Sequence, residues 1–154
     1  MGNKTNKCFI STPESVKHIA ESFCKKVHDV NALKLKKMAD KDKCKFVFVY
    51  CPIVSRAGTD IEASLNKIKT EFPKQMVILI VLHHTFNPEI IVSDSSKFVD
   101  DKVSLTVDCL FHEDQGLLKC ERNSKAVKVV AQFLKSQKRK KRKYNQKKHI
   151  ASEG

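Results

Sequence analysis

Four segments of this sequence bring together side chains that can do chemistry. The first runs Ser55-Arg56-Ala57-Gly58-Thr59-Asp60-Ile61-Glu62 and combines hydroxyls, a fixed guanidinium charge, a glycine and carboxylates. Thr59 followed three residues later by Glu62 reads as a capping box, which would open a helix here. The first turn of such a helix offers unpaired backbone N–H groups and the positive end of the helix dipole. With Arg56 beside it, a phosphate or carboxylate would be stabilised, and Ser55, Arg56, Gly58 and Thr59 are the residues expected to bind it. The plainer structural alternative is that Gly58 and Thr59 make only a turn and a cap.

The second and third segments are His83-His84-Thr85 and His112-Glu113-Asp114. Histidines there could bind a ligand, shuttle a proton or hold a metal. Consecutive residues of a strand face opposite ways, so His83 and His84 reach one ligand only where their strand has ended. None of these spacings is specific to zinc, and neither metal nor cofactor is expected. A Cys51 nucleophile with His83 as its base is conceivable, without any local signature behind it. The fourth segment is the unbroken basic run Lys138-Arg139-Lys140-Lys141-Arg142-Lys143, followed by Lys147 and Lys148. Such a block reads as a nuclear import signal or a nonspecific nucleic-acid contact. Tyr144 alone is at hand for base stacking, so sequence specificity from this segment is not expected.

The elements that must position these groups follow from hydrophobic period. Lys7 to Ser11 is a short apolar run, expected as a first strand. Ser11, Thr12 and Pro13 then read as a helix start, with Val16, Ile19, Ala20, Phe23, Cys24 and Val27 as the apolar face of a helix to about His28. Ala32 to Lys36 alternates weakly, as an edge strand would. Phe46 to Cys51 and Met76 to Leu82 are wholly apolar and fit strands buried on both faces. Between them, Ile61, Leu65 and Ile68 mark a helix, so the three make a βαβ unit with parallel strands. His83 to Asp101 lacks a period and reads as a long loop, of the kind that is often functional. Val103 to Phe111 alternates as a strand, Gly116 ends a turn, and Leu117 to Cys120 pairs back. Asn123 or Ser124 is expected to cap a last helix with Val127, Val130, Ala131 and Leu134 inward.

The resulting expectation is a flavodoxin-like three-layer α/β sandwich with a mostly parallel sheet of about five strands. Residues 1–134 form its single domain, and residues 135–154 a disordered basic tail. In such a sheet ligands bind outside the carboxyl ends of the strands, where Ser55, Arg56, His83, His84 and His112 all fall.

Gly58-Thr59-x-x-Glu62 after a strand and a loop resembles the active-site segment of nucleoside 2-deoxyribosyltransferase-like proteins and, more loosely, of TIR domains. The resemblance implies an N-glycoside hydrolase or transferase acting on a nucleoside, nucleotide or NAD-like substrate, with Glu62 as the catalytic carboxylate. Cys51 to Arg56 would line the approach. Ser64 stands where the transferase pattern has Gly, and the chain lacks the Trp of TIR domains. The longer run CPIVSRAGTDIE (Cys51 to Glu62), with TVDCLFHEDQGLL (Thr106 to Leu118), is similar to a family of small fish proteins of no assigned function.

Composition sets the frame. The chain has 154 residues and a net charge of +13. Residues 1–45 carry a net +6, residues 46–134 a net −1, and residues 135–154 a net +8, so a nearly neutral body bears a strongly basic end. No apolar run approaches the ~18 residues of a membrane span. Met1 to Lys7 lacks the apolar core of a signal peptide, so cytoplasm and/or nucleus is the expected location. Six cysteines without a CxxC pair fit reduced thiols. Met1-Gly2-Asn3-Lys4-Thr5 resembles an N-myristoylation start, with Cys8 available for a second acyl chain. Asn6 stands where Ser or Thr belongs, and a membrane partner is not expected. The leading expectation is a small binding or regulatory protein with a nucleotide or anion pocket at the strand rim. Its basic end would serve nuclear import or polyanion binding.

Overall fold

The computed structural model describes residues 5–30 and 33–153, with residues 138–153 described as backbone only. Its strands are β1 (Asn6–Ser11), β2 (Leu35–Lys37), β3 (Phe46–Pro52), β4 (Met76–His84), β5 (Leu105–His112) and β6 (Gly116–Leu117). Three α-helices accompany them: α1 (Lys17–Asp29), α2 (Ala57–Glu71) and α3 (Glu121–Glu153). The sheet order is β2-β1-β3-β4-β5-β6. All neighbours are parallel except β5 and β6, which are antiparallel. The five parallel strands thus follow the flavodoxin-like order, and the fold is the expected α/β sandwich with one short strand added.

Alternation along the central strands sorts the core into two layers. Phe48, Tyr50, Ile78, Ile80 and Leu82 face α1 and α3, where they meet Ile19, Phe23, Val27, Val130 and Leu134. Val47, Val49, Val77, Leu79 and Val81 face the other way, under Ile61, Leu65 and Ile68 of α2. Because β3 and β4 are covered on both faces, their sequences are continuously apolar rather than alternating. Tyr50 joins the first layer to α1, its hydroxyl lying 3.3 Å from the Ala20 carbonyl oxygen and 3.1 Å from Cys24 Sγ.

The crossovers β2 to β3 and β4 to β5 carry only 3₁₀ turns, at Lys41–Lys43 and Ser95–Phe98. The second layer is therefore roofed by one helix and two loops. A cavity of about 480 Å³ opens beside it, lined by Ser11, Thr12, Lys41 and Phe72 among others.

Several local expectations are corrected. Neither Ser11 nor Thr12 caps α1: a 3₁₀ turn at Glu14–Val16 intervenes, and the Thr12 hydroxyl donates to the Pro13 carbonyl. The last strand is Gly116–Leu117 rather than Leu117 to Cys120, and Gly116 takes a φ of 74°, a conformation open to glycine at little cost. Asn123 and Ser124 do not cap α3, which starts at Glu121. Asn123 is instead buried, and its amide receives the Leu110 N–H and donates to the Leu110 and Leu118 carbonyls, each at 2.8 Å. It stands in for a neighbouring strand at the β5 edge. Cys8 is fully buried on β1, and burial pushes its thiol up to about 12. The start Met1-Gly2-Asn3-Lys4 and Ala32 lie outside the described residues. Helix α3 runs to Glu153, with residues 138–153 described as backbone only; Lys, Arg and Gln are good helix formers. The side chains of Lys138 to Lys143, Lys147 and Lys148 lie outside the description.

Candidate functional site

Helix α2 begins at Ala57, because Arg56 has extended backbone (φ −141°, ψ 138°) and holds the N-cap position. The first helical bond runs from Asp60 N–H to the Arg56 carbonyl, which leaves the Ala57, Gly58 and Thr59 N–H groups without an intrahelical acceptor. Thr59 thus lies inside the first turn and forms no capping box with Glu62. The residue that ties the loop is Asp60, whose Oδ2 accepts the Val54 and Ser55 N–H groups at 2.8 and 3.0 Å. Its carboxylate already occupies the loop amides that an external anion would otherwise use. Arg56, the first-turn N–H groups and the exposed Ser55 and Thr59 remain on the surface beside it.

Strand β4 continues through His84, so His83 and His84 project to opposite sides, as strand geometry requires. His83 turns to the α2 side, where its Nε2 meets Asp108 Oδ1 at 2.8 Å. Asp108 also receives the Ser95 N–H at 3.1 Å and the Ser95 hydroxyl. Burial pushes the Asp108 carboxyl up, but the bonds from His83 and Ser95 outweigh it and hold the group below the usual carboxylate value. This network fastens the long loop after β4 to the sheet. It also occupies His83. Cys51 donates instead to the Asp60 carbonyl, and burial pushes its thiol up, so the Cys51–His83 nucleophile and base are not assembled.

His84 goes to the other side and meets His112, the last residue of β5, with ring centroids 4.7 Å apart. Phe86 stacks on His112 at 3.5 Å, and Phe111 packs edge-on to His84 at 5.3 Å. Glu113 Oε2 lies 3.6 Å from His84 Nε2. The ligand atoms that His84, His112 and Glu113 can offer all fall within 4.8 Å of one another.

The same rim carries the large hydrophobic side chains exposed among the described residues: Val54 (84%), Phe86 (64%), Ile90 (39%), Ile91 (91%) and Phe98 (43%). All five stand on the loops that follow β3 and β4. Phe98 reaches α2, lying 3.8 Å from where a side chain on Gly58 would begin, and Lys97 Nζ sits 5.2 Å from its ring centre. The structure therefore brings Gly58 against Phe98, with Lys97 over the same ring, a pairing the sequence did not suggest. It separates His83 from His84 and His112. Glu62 is exposed and lines none of the three described cavities. The largest of these, about 990 Å³, runs along the β5 edge by Asp94, Thr106, Asp108, Arg122 and Lys125, and neither Arg56 nor the exposed apolar residues line it.

No protein-family model matches the chain, and no curated protein matches it. Among the described residues no helix is long and apolar enough to cross a membrane.

Proposed function

We propose that the chain is a binding or regulatory protein whose ligand docks on the carboxyl-terminal rim of the sheet. The ligand class is a nucleotide or a comparable small anion bearing an apolar ring. What supports this reading is the placement of the exposed large hydrophobics of the described residues on the two rim loops, with Phe98 against the first turn of α2 and Lys97 over its ring. Exposed apolar surface of this kind costs solubility, and on a rigid scaffold it is characteristic of binding surfaces. Phe98 would take the ring. Arg56, Lys97 and the first-turn N–H groups would take the phosphates, with Asp60 shielded by its bonds to the loop. The basic C-terminal segment serves nuclear import or nonspecific polyanion contact, and the protein works in the cytoplasm and/or nucleus. The N-glycosidase alternative rests on sequence resemblance alone, since Glu62 stands in the open.

The test is an equilibrium titration of the full chain with a panel of mono-, di- and trinucleotide ligands and NAD, at a salt concentration that suppresses polyanion binding. The expected outcome is saturable binding that weakens about tenfold in Arg56→Ala, the loss of one charge-assisted contact, and comparably in Phe98→Ala. Binding that is absent throughout, or unchanged in both variants, refutes the rim as a nucleotide site. Free base released in the same tubes, and lost in Glu62→Gln, would establish the enzyme reading instead.

A further inference from the structure

We propose that His84, His112 and Glu113 form a binding site for a divalent transition-metal ion, with Zn²⁺ as the reference ion. His84 and His112 are the last residues of the neighbouring parallel strands β4 and β5, whose register sets His84 against Phe111 and so places His112 one residue further on, with Glu113 on the turn that follows. The sheet fixes the backbone separation of the two histidines before any ion arrives. Packing against Phe86 and Phe111 also holds the two imidazoles in orientation.

The distances are those of a site close to its bound form. Ligand atoms within 4.8 Å of one another must draw in to about 3.3 Å around a tetrahedral ion with bonds of about 2.0–2.1 Å. Glu113 supplies most of that movement: its side chain is 72% exposed and sits on the turn after β5, while His84 Nε2 is already 3.6 Å from Glu113 Oε2. Two imidazoles and one carboxylate form a borderline donor set, suited to Zn²⁺ and its neighbours in the first transition row and unsuited to Mg²⁺ or Ca²⁺. Three protein ligands leave one position open at the rim.

His112 carries the detail that makes the site more than three adjacent side chains. Its Nδ1 accepts the Asp114 N–H at 3.2 Å, so the neutral ring bears its proton on Nε2. An ion bound at Nε2 requires that proton on Nδ1 instead. Asp114 Oδ2 lies 3.8 Å from the same Nδ1 and is placed to accept it after a small rotation of the turn. With the ion on Nε2, the proton would sit on Nδ1 facing Asp114 Oδ2, the Asp114 N–H would give up its bond to that nitrogen, and no proton would be released.

The experiment titrates the full-length, tag-free, reduced protein with ZnCl₂ by calorimetry, and with Co²⁺ by visible spectroscopy. The expected result is one saturable ion and a Co²⁺ spectrum without a thiolate charge-transfer band. Binding should weaken at least tenfold in His84→Ala and in Glu113→Gln, both exposed positions, and stay unchanged in Cys120→Ser. Any of three results would overturn the proposal: no saturable binding, equal affinity in His84→Ala, or a thiolate band, which would place the ion on cysteine. The Co²⁺ spectrum of the unsubstituted protein decides the donor type even if a variant folds poorly.

Discussion

Asp108 shows how a single buried carboxylate can organise a loop. It accepts from His83, from the Ser95 N–H and from the Ser95 hydroxyl, so removing it strands three donors at once. Asp108→Ala should cost about 2–4 kcal/mol, the range for breaking a buried charged network. Thermal unfolding would measure that cost, and hydrogen exchange should quicken between residues 85 and 104. Because the folded-state carboxyl is held below its ordinary value of 3.8, its contribution is complete at neutral pH and above the unfolded-state value. The contribution fades as pH falls through 3.8 and below. An acid titration of wild type against Asp108→Asn should therefore converge at low pH and diverge above it. His83, His84 and His112 were legible in the sequence as candidates because they are rare residues at strand ends. Their partners were not. Asp108 is 25 residues from His83 and 13 from Ser95, and no period links such positions.

At the scale of elements, the start of α2 separates two readings of one motif. A Thr-x-x-Glu pattern fits the capping template, yet the extended backbone of Arg56 starts the helix earlier and gives the tying role to Asp60. Asp60→Ala should cost about 1 kcal/mol, as the loss of a capping-type carboxylate does, and Thr59→Ala no more than about 0.5 kcal/mol. Chemical denaturation of the two variants would rank them, and the opposite ranking would restore Thr59 as the cap. Asn123 was misread for a related reason. Its type suits a helix start, but its amide closes the β5 edge, and Asn123→Ala should cost about 2–4 kcal/mol in the same measurement. Helix and strand identity were readable from period alone. Caps and brackets were not, because they depend on which backbone groups the tertiary fold leaves unpaired.

Over the whole molecule, the parallel order follows from the βαβ pattern and from the continuous apolar runs of β3 and β4, both visible in the chain. What the chain did not display is the cost of omitting a helix from the β4–β5 crossover: the loop that replaces it exposes Phe86, Ile91 and Phe98 at the rim. The basic end is a separate device. If six of its charges meet phosphates, affinity for a mixed-sequence oligonucleotide should fall with a log–log salt slope of about −4 on single strands and −5 on duplex. Replacing Lys138 to Lys143 by glutamine should abolish that dependence and leave rim binding intact. The central claim, that the rim is the ligand surface, is tested most directly by mapping amide chemical shifts while a nucleotide is added to the full chain. The account predicts saturable shifts concentrated in residues 53–60 and 85–98. Shifts confined to the basic C-terminal segment, or none at all, would contradict it.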